Sequence, residues 1–140
     1  MIYTKELSEE KLHRKLCQYL KGYYPSVYFI SDPSGIRLGQ SNWKVKSLLK
    51  STSSNHKHLD IHILEPSKEF IGLIIECKLE TPFKNNGELK SGEHLEMQKL
   101  IMDALESKGY RCSFVWDFNQ GIALFENYLE NPVIDNTPLF

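Results

Sequence analysis

The chain has 140 residues, of which 41% are hydrophobic and 25% charged, and its formal net charge is −1. This size and composition are those of one globular domain and exclude a fibrous or wholly disordered chain, while the near-neutral charge excludes a general attraction to nucleic acid. The longest apolar run, residues 70–75, is far shorter than the roughly 20 residues of a membrane span, and the N-terminus lacks a signal-peptide core, so we expect a cytoplasmic protein with no membrane partner.

The first 30 residues predict a helix followed by a short strand. Ser8-Glu9-Glu10-Lys11 is similar to a capping box, and apolar residues recur at helical spacing over residues 8–22. Gly22 ends this pattern, and Pro25 precedes a β-prone run at residues 27–30.

The segment between Pro33 and Leu59 contains no acidic residue and forms a basic island. Residues 40–49 fit an amphipathic helix with Trp43 in the core, and a polar loop over residues 51–55 follows. Such a segment either binds the phosphate backbone of DNA or is the solvated face of a helix, and we favour the first. The candidate DNA-binding residues are Arg37, Lys44, Lys46, Lys50 and Lys57.

Residues 58–64 and 70–78 predict a β-hairpin. The first run alternates in polarity, as a half-buried strand does, whereas the second is continuously apolar and suits a strand buried on both faces. The apolar face of the first strand comprises Leu59, Ile61 and Ile63, and its polar face His58, Asp60 and His62.

The remaining chain predicts a helix at residues 93–108 capped by Gly109, a strand at 111–116 and a last helix at 120–129. The whole order of elements indicates one mixed α/β domain over residues 1–130, followed by a C-terminal tail over residues 131–140. The residues expected on the buried face of the helix at 93–108 are Leu95, Leu100, Ile101, Ala104 and Leu105.

Glu-x-Lys tripeptides occur four times, and one copy stands out by its position. Glu76-Cys77-Lys78 ends the most apolar strand, where charged residues are costly to place. Strand alternation puts Glu76 and Lys78 on one face, and Asp60 can meet Glu76 across the hairpin. Two carboxylates, a main-chain carbonyl and water form the oxygen environment that Mg²⁺ or Mn²⁺ prefers, and such an ion would activate water against a phosphodiester. A structural ion pair of Lys78 is the alternative, and spacing alone does not choose between them.

An ordered series of segments over residues 8–129 resembles the VRR-NUC branch of the PD-(D/E)XK nucleases. The Glu-x-Lys strand and the glutamine-containing helix after it are the most specific parts of this resemblance. The similar segments are Glu9 with Tyr24-Pro25, Asp32-Pro-Ser-Gly35, Trp43 to Lys57 with Leu59-Asp60-Ile61, Leu73-Ile-Ile-Glu76-Cys-Lys78, and Glu96-Met-Gln98 with Leu105 and Gly109-Tyr-Arg111.

This resemblance implies a restriction-endonuclease-like α/β fold, with a central mixed β-sheet flanked by helices, and a divalent-metal-dependent DNA endonuclease. It implies that Asp60, Glu76 and the Cys77 carbonyl bind Mg²⁺ or Mn²⁺ and that Lys78 is the catalytic lysine. Gln98 and Glu9 would be supporting active-site residues. Small members of this branch resemble Holliday-junction resolvases, which implies branched DNA as a possible substrate and a homodimer as a possible assembly.

The sequence departs from the family pattern before the aspartate and on the first helix. Leu59 stands in place of the expected proline, Lys57 in place of a glycine, and His13 where glutamine is frequent. The shape of the turn into Asp60 is therefore a point on which the fold can differ.

Two rival interpretations use the same residues. His56, His58 and His62 lie close enough in sequence to suggest a transition-metal site. We favour the interpretation that His58 and His62 line the cleft near phosphate or are simply exposed on the sheet face. The fold could also serve as a non-cleaving module that binds nucleic acid or inhibits a defence protein. The complete set of Asp60, Glu76 and Lys78 favours cleavage over such a module.

Overall fold

The computed structural model describes residues 8–32, 43–52 and 58–129. These residues form helices and strands in the order predicted from the sequence, with ends shifted by a few residues. The elements are α1 (Glu9–Tyr23), β1 (Phe29–Ser31), α2 (Trp43–Thr52), β2 (Ile61–Ile63), β3 (Gly72–Cys77), α3 (Glu93–Glu106), β4 (Tyr110–Val115) and α4 (Phe118–Leu129). The helix α2 runs two residues into the loop predicted at 51–55, and the tail at residues 131–140 lies outside the described residues.

The four strands form one mixed sheet in the order β1-β2-β3-β4. The strands β2 and β3 pair antiparallel, with Ile61 opposite Ile75, and this confirms the predicted hairpin. The strands β3 and β4 pair parallel, with Glu76 opposite Phe114. A parallel pair needs a crossover connection, which α3 supplies.

The central strand β3 is buried along its whole length because each of its faces is covered by helices. Leu73, Ile75 and Cys77 pack in the layer formed with α1 and α4. Ile74 points the other way and packs with Met102 of α3 and with β4. By alternation Glu76 shares the face of Ile74, so its carboxylate is directed toward α3.

The helix α1 packs closely on α4 and sets one wall of the core. Ser8 caps α1 by accepting a 3.1 Å hydrogen bond from the Lys11 main-chain N–H, as the sequence predicted. Leu16 of α1 lies so near Gly121 of α4 that a Cβ on that glycine would come within 2.5 Å of a Leu16 methyl carbon. The glycine therefore sets how closely the two helices approach.

The buried face predicted for α3 is confirmed in part, because Leu95, Ile101 and Leu105 are partly buried against the core cluster that contains Met102. The prediction was wrong for the other two residues. Gln98 and Met102 are its buried residues, whereas Leu100 is 63% exposed and Ala104 is also exposed. Leu100 and Ala104 line an open apolar groove of about 490 Å³ between α3 and β2. The error follows from reading apolar spacing alone, since the residue turned inward is a polar glutamine with a partner in the sheet.

Trp43 was expected in the core and is instead 63% exposed, with the Lys44 ammonium 5.9 Å from the centre of its ring. The prediction was wrong because an apolar residue at the start of a basic helix need not face the core. Among the helices of the described residues, none is long and apolar enough to cross a membrane.

Candidate active site

Asp60 lies in a bend immediately before β2, and this bend directs its side chain. Leu59 packs with Ile74 and the α3 layer, while Ile61, two residues on, packs with the α1 layer. The prediction that these two residues share a face was therefore wrong at Leu59, because the backbone turns between them. The turn occurs at the position where the sequence has leucine instead of proline.

The Asp60 carboxylate joins the bend to the end of β3. The Lys78 main-chain N–H donates to the Val115 carbonyl of β4 at 2.8 Å, so the main chain of Cys77 faces the opposite way, toward β2. Strand pairing with β2 has ended at that level, and the Cys77 N–H donates to Oδ2 of Asp60 at 2.8 Å instead. The Cys77 carbonyl is directed to the same side by the geometry of a strand.

Several neighbours act on the charge of Asp60. Burial raises the pKa of this carboxyl group, and the Cys77 N–H and the nearby His13 oppose the rise. Glu9 raises the pKa further, and Lys78 lowers it by a smaller contribution. Glu9 of α1 and Lys78, the residue after β3, therefore both act electrostatically on Asp60, as members of one site would.

Glu76 is nearly buried, with 5% of its surface exposed, and it faces Gln98 of α3, which is 1% exposed. The Gln98 amide nitrogen donates a 2.8 Å hydrogen bond to Oε2 of Glu76. A buried carboxylate is costly unless it is hydrogen-bonded, and this contact reduces the cost. The helix α3 thus contributes a polar side chain where packing alone would favour an apolar one.

Lys78 follows β3 and lines an open cleft of about 310 Å³. Glu9 at the start of α1 and Lys90 from the loop before α3 line the same cleft. The five predicted active-site residues Glu9, Asp60, Glu76, Lys78 and Gln98 therefore lie around the ends of β2 and β3 and the helices that cover them.

The oxygen atoms of this site suit a hard divalent cation. Asp60 and Glu76 supply carboxylates, and the Cys77 carbonyl is directed toward Asp60. The Oε1 atom of Gln98 is buried and has no hydrogen-bond partner among the described residues. No cluster of three or more His, Cys, Asp or Glu side chains suited to a metal occurs in the described ranges. Mg²⁺ commonly uses one or two carboxylates and keeps several waters, so the donor set fits Mg²⁺ or Mn²⁺.

The histidines have contacts of their own. His62 bonds through Nε2 to the Leu59 carbonyl at 2.9 Å, and His58 Nδ1 lies 3.2 Å from Oδ2 of Asp32. Their rings are 6.1 Å apart. His56 lies outside the described residues, so the three-histidine metal site stays a prediction.

Two histidines that were not predicted as active-site residues also lie at the site. His13 of α1 bonds through Nε2 to the Ser31 hydroxyl at 2.5 Å, and it lowers the pKa of Asp60. His94 of α3 lies 3.1 Å from the Gln98 amide nitrogen, atom Nε2 to atom Nε2. The i,i+4 spacing of His94 and Gln98 was the available signal, and it is weak without a known partner for the glutamine.

The structure places only part of the predicted DNA-binding set. Arg37 and Lys57 lie outside the described residues, and so do the side chains of Lys46 and Lys50 on α2. Lys44 is exposed on α2. The role of these residues in binding DNA stays a prediction.

No protein-family model and no curated protein matches this chain. A solved structure titled "VRR_NUC domain protein" matches it with a TM-score of 0.59 and 16% sequence identity, over 98% of this chain and 100% of that one. A likeness at this identity is a likeness of fold. It confirms the mixed sheet flanked by helices that the sequence resemblance implied. The chain therefore has the PD-(D/E)XK-like α/β fold of a VRR_NUC domain protein.

Proposed function

We propose that the protein is a divalent-metal-dependent endonuclease that hydrolyses phosphodiester bonds of DNA. The observation that carries this proposal is the gathering of Asp60, Glu76 and Lys78 at one end of the β2–β3 hairpin, with both carboxylates tied into the structure. Placing the carboxylates of Glu76, which is nearly buried, and Asp60, which is partly buried, away from water costs stability, which a purely structural strand end would not require. The fold shared with a VRR_NUC domain protein supports the same function.

The roles of the residues follow from their chemistry. Asp60, Glu76 and the Cys77 carbonyl would hold Mg²⁺ or Mn²⁺, which neutralises phosphate charge and lowers the pKa of a bound water. Lys78 lines the cleft. Its ammonium group would orient the attacking water or stabilise negative charge that develops on the phosphate. Gln98 holds the Glu76 carboxylate, and Glu9 adds negative charge at the cleft.

We propose DNA contact through the basic island, in which Lys44 on α2 is exposed. Basic residues there would bind phosphates without reading the base sequence. As a secondary proposal, a homodimer cleaves branched DNA. The chain alone offers few elements for recognising a base sequence, so the shape of the DNA would select the substrate. Analytical ultracentrifugation that finds only monomer, with and without junction DNA, would rule out the homodimer.

The deciding experiment is cleavage of labelled four-way junction, flap, single-stranded and linear duplex DNA with Mg²⁺, Mn²⁺ or EDTA. The wild type is compared with Lys78→Ala and with Lys21→Ala, an exposed lysine on α1 remote from the cleft lining. Metal-dependent cutting by the wild type and Lys21→Ala, but not by folded Lys78→Ala, is the expected result.

The same experiment separates the alternatives. If Lys78 forms only a structural ion pair, Lys78→Ala lowers the free energy of unfolding and leaves the cleavage rate per folded molecule unchanged. If no substrate is cut by folded wild-type protein, the non-cleaving binding module becomes the better explanation.

A further inference from the structure

The Gln98 side chain is held by two partners through a single atom. Its amide nitrogen donates to Oε2 of Glu76 at 2.8 Å and lies 3.1 Å from Nε2 of His94. An amide nitrogen carries two hydrogens and accepts none, so each contact uses one N–H. Both donors of the Gln98 amide are then engaged.

The identity of the donor fixes the state of His94. Because Gln98 can only donate through this atom, Nε2 of His94 must be the acceptor, and a neutral imidazole then carries its proton on Nδ1. A protonated imidazole would present a second donor to the amide and lose the contact. At its Nε2 atom His94 therefore acts as a hydrogen-bond acceptor.

The fixed nitrogen also fixes the amide oxygen. A carbonyl oxygen turned toward the Glu76 carboxylate would be repelled, and His94 adds an acceptor on the same side. The oxygen Oε1 must then lie away from both acceptors, where it is buried and has no hydrogen-bond partner among the described residues. A buried carbonyl without a partner is unfavourable, and a water or ligand that donates a hydrogen bond to this oxygen would relieve the cost.

We propose that His94 is a positioning residue that holds the Gln98 amide with its nitrogen on the Glu76 carboxylate, so that the buried amide oxygen is left to accept a hydrogen bond from a water, including one that hydrates a bound cation. This rests on the endonuclease function proposed above. His94 acts on the site through Gln98. Outer partners of this kind commonly change metal affinity or activity by about 10-fold to 100-fold when they are removed.

The test compares three substitutions of His94 with a matched control. His94→Leu removes the acceptor, His94→Lys replaces it by a donor, and His94→Gln restores an acceptor oxygen. The control is Met97→Leu, an exposed residue on the same turn of α3 that lines the apolar groove. Two readouts are used, the cleavage kinetics and the affinity for Mn²⁺ measured by calorimetry on DNA-free protein.

We expect His94→Leu to lower kcat and the Mn²⁺ affinity by about 10-fold or more with an unchanged KM for DNA, and His94→Lys to lower them further. His94→Gln should return both to within about 3-fold of the wild type, a rescue that a purely steric role of the ring would not give. Wild-type kcat and Mn²⁺ affinity in His94→Leu would overturn the proposal.

A third readout does not depend on cleavage. Nitrogen-15 spectra of the histidine rings should show His94 as the neutral Nδ1–H form, and the Gln98 side-chain amide signal should shift in His94→Leu and not in Met97→Leu. If wild-type protein cuts no DNA but these spectra appear as expected, the endonuclease function fails while the positioning contact stands. An Nε2–H form of His94 would overturn the positioning contact whatever the cleavage result.

Discussion

The carboxylate of Asp60 accepts a 2.8 Å hydrogen bond from the main-chain N–H of Cys77, joining the bend before β2 to the last residue of β3. This contact replaces the strand pairing that would otherwise satisfy Cys77 at that level. It also holds a charged group in a partly buried place, where burial raises its pKa. Asp60 therefore contributes a useful hydrogen bond and an unfavourable charge at the same time.

The first prediction separates these two contributions by the substitution Asp60→Asn. The asparagine amide oxygen can still accept from the Cys77 N–H, and the negative charge is gone. In EDTA at pH 7 we expect the free energy of unfolding of Asp60→Asn to exceed that of the wild type by about 1 kcal/mol. We also expect that this variant cuts no DNA. Urea denaturation measures the difference.

The pH dependence has a definite sign. The folded-state pKa of Asp60 is raised above that of an unfolded aspartate. The contribution of Asp60 to the free energy of unfolding is therefore most favourable below the unfolded-state pKa, and it is lost as pH rises through the folded-state pKa. The advantage of Asp60→Asn should thus vanish at low pH and reach its full value above the raised pKa. Asp60→Ala is the comparison that lacks the hydrogen bond as well. An Asp60→Asn protein less stable than the wild type at pH 7 would show that the charge is compensated.

A second prediction concerns Gln98, the buried partner of Glu76. Gln98→Leu leaves similar volume but withdraws the donor from a nearly buried carboxylate. We expect a loss of about 1–3 kcal/mol in the free energy of unfolding at pH 7 and a fall in cleavage rate of about 10-fold to 100-fold. Thermal denaturation and single-turnover cleavage measure the two effects.

Gln18→Leu is the matched control, because Gln18 is exposed on α1. It should change neither quantity beyond about 0.5 kcal/mol or a factor of two. If Gln98→Leu were as stable and as active as the wild type, Glu76 would have to be held by other residues, and the role given to α3 would be wrong.

The sequence predicted the elements well where a local signal and the packed structure agree. The strand β3 has a continuous apolar run because it is covered on both faces, and the Ser8 cap has a local partner in Lys11. Gly109 was predicted to cap α3, but the helix ends at Glu106 with Ser107 as its C-cap. Gly109 instead has a φ of 105° in the turn that follows, in the left-handed region that glycine favours.

The bend at Asp60 and the inward position of Gln98 on α3 could not be predicted from local patterns. Leu59 continues the apolar alternation of β2, and only the tertiary packing shows that it belongs to the other layer. Gln98 is turned inward because Glu76 is there, and that contact joins residues 22 positions apart. Such long-range polar pairs leave no periodicity in the sequence, although the family resemblance had singled out both residues.

A third prediction tests the contact of α1 with α4 through two glycines. Gly121→Ala would place a Cβ 2.5 Å from a Leu16 methyl carbon and 3.2 Å from one of Val115, in the middle of the core. We expect a loss of about 1–3 kcal/mol in the free energy of unfolding, since neither neighbour can move without disturbing others.

Gly22→Ala serves as its control, because a Cβ at Gly22 near the end of α1 meets no atom within 4 Å. Alanine has the higher helix propensity, so this variant should be more stable by up to about 1 kcal/mol. Equal effects of the two substitutions in chemical denaturation would contradict the close helix contact.

The last prediction tests whether the basic island binds DNA, using Lys44, whose side chain is exposed on α2 beside the exposed ring of Trp43. If the Lys44 ammonium contacts one phosphate, Lys44→Gln removes one counterion-releasing contact. The slope of log K against log salt concentration for duplex binding should then become less negative by about 0.9, with affinity lowered to a similar degree on unrelated sequences. Fluorescence anisotropy in Ca²⁺ or EDTA, over a series of salt concentrations, measures the slope without cleavage.

Lys21→Gln is the control, because it removes an equal charge from the last turn of α1. It should change the affinity only slightly and leave the slope as in the wild type. The opposite outcome is an equal loss of affinity in both variants, with no change in slope for Lys44→Gln. It would mean that DNA binding depends only on the overall charge of the protein and that Lys44 contacts no phosphate.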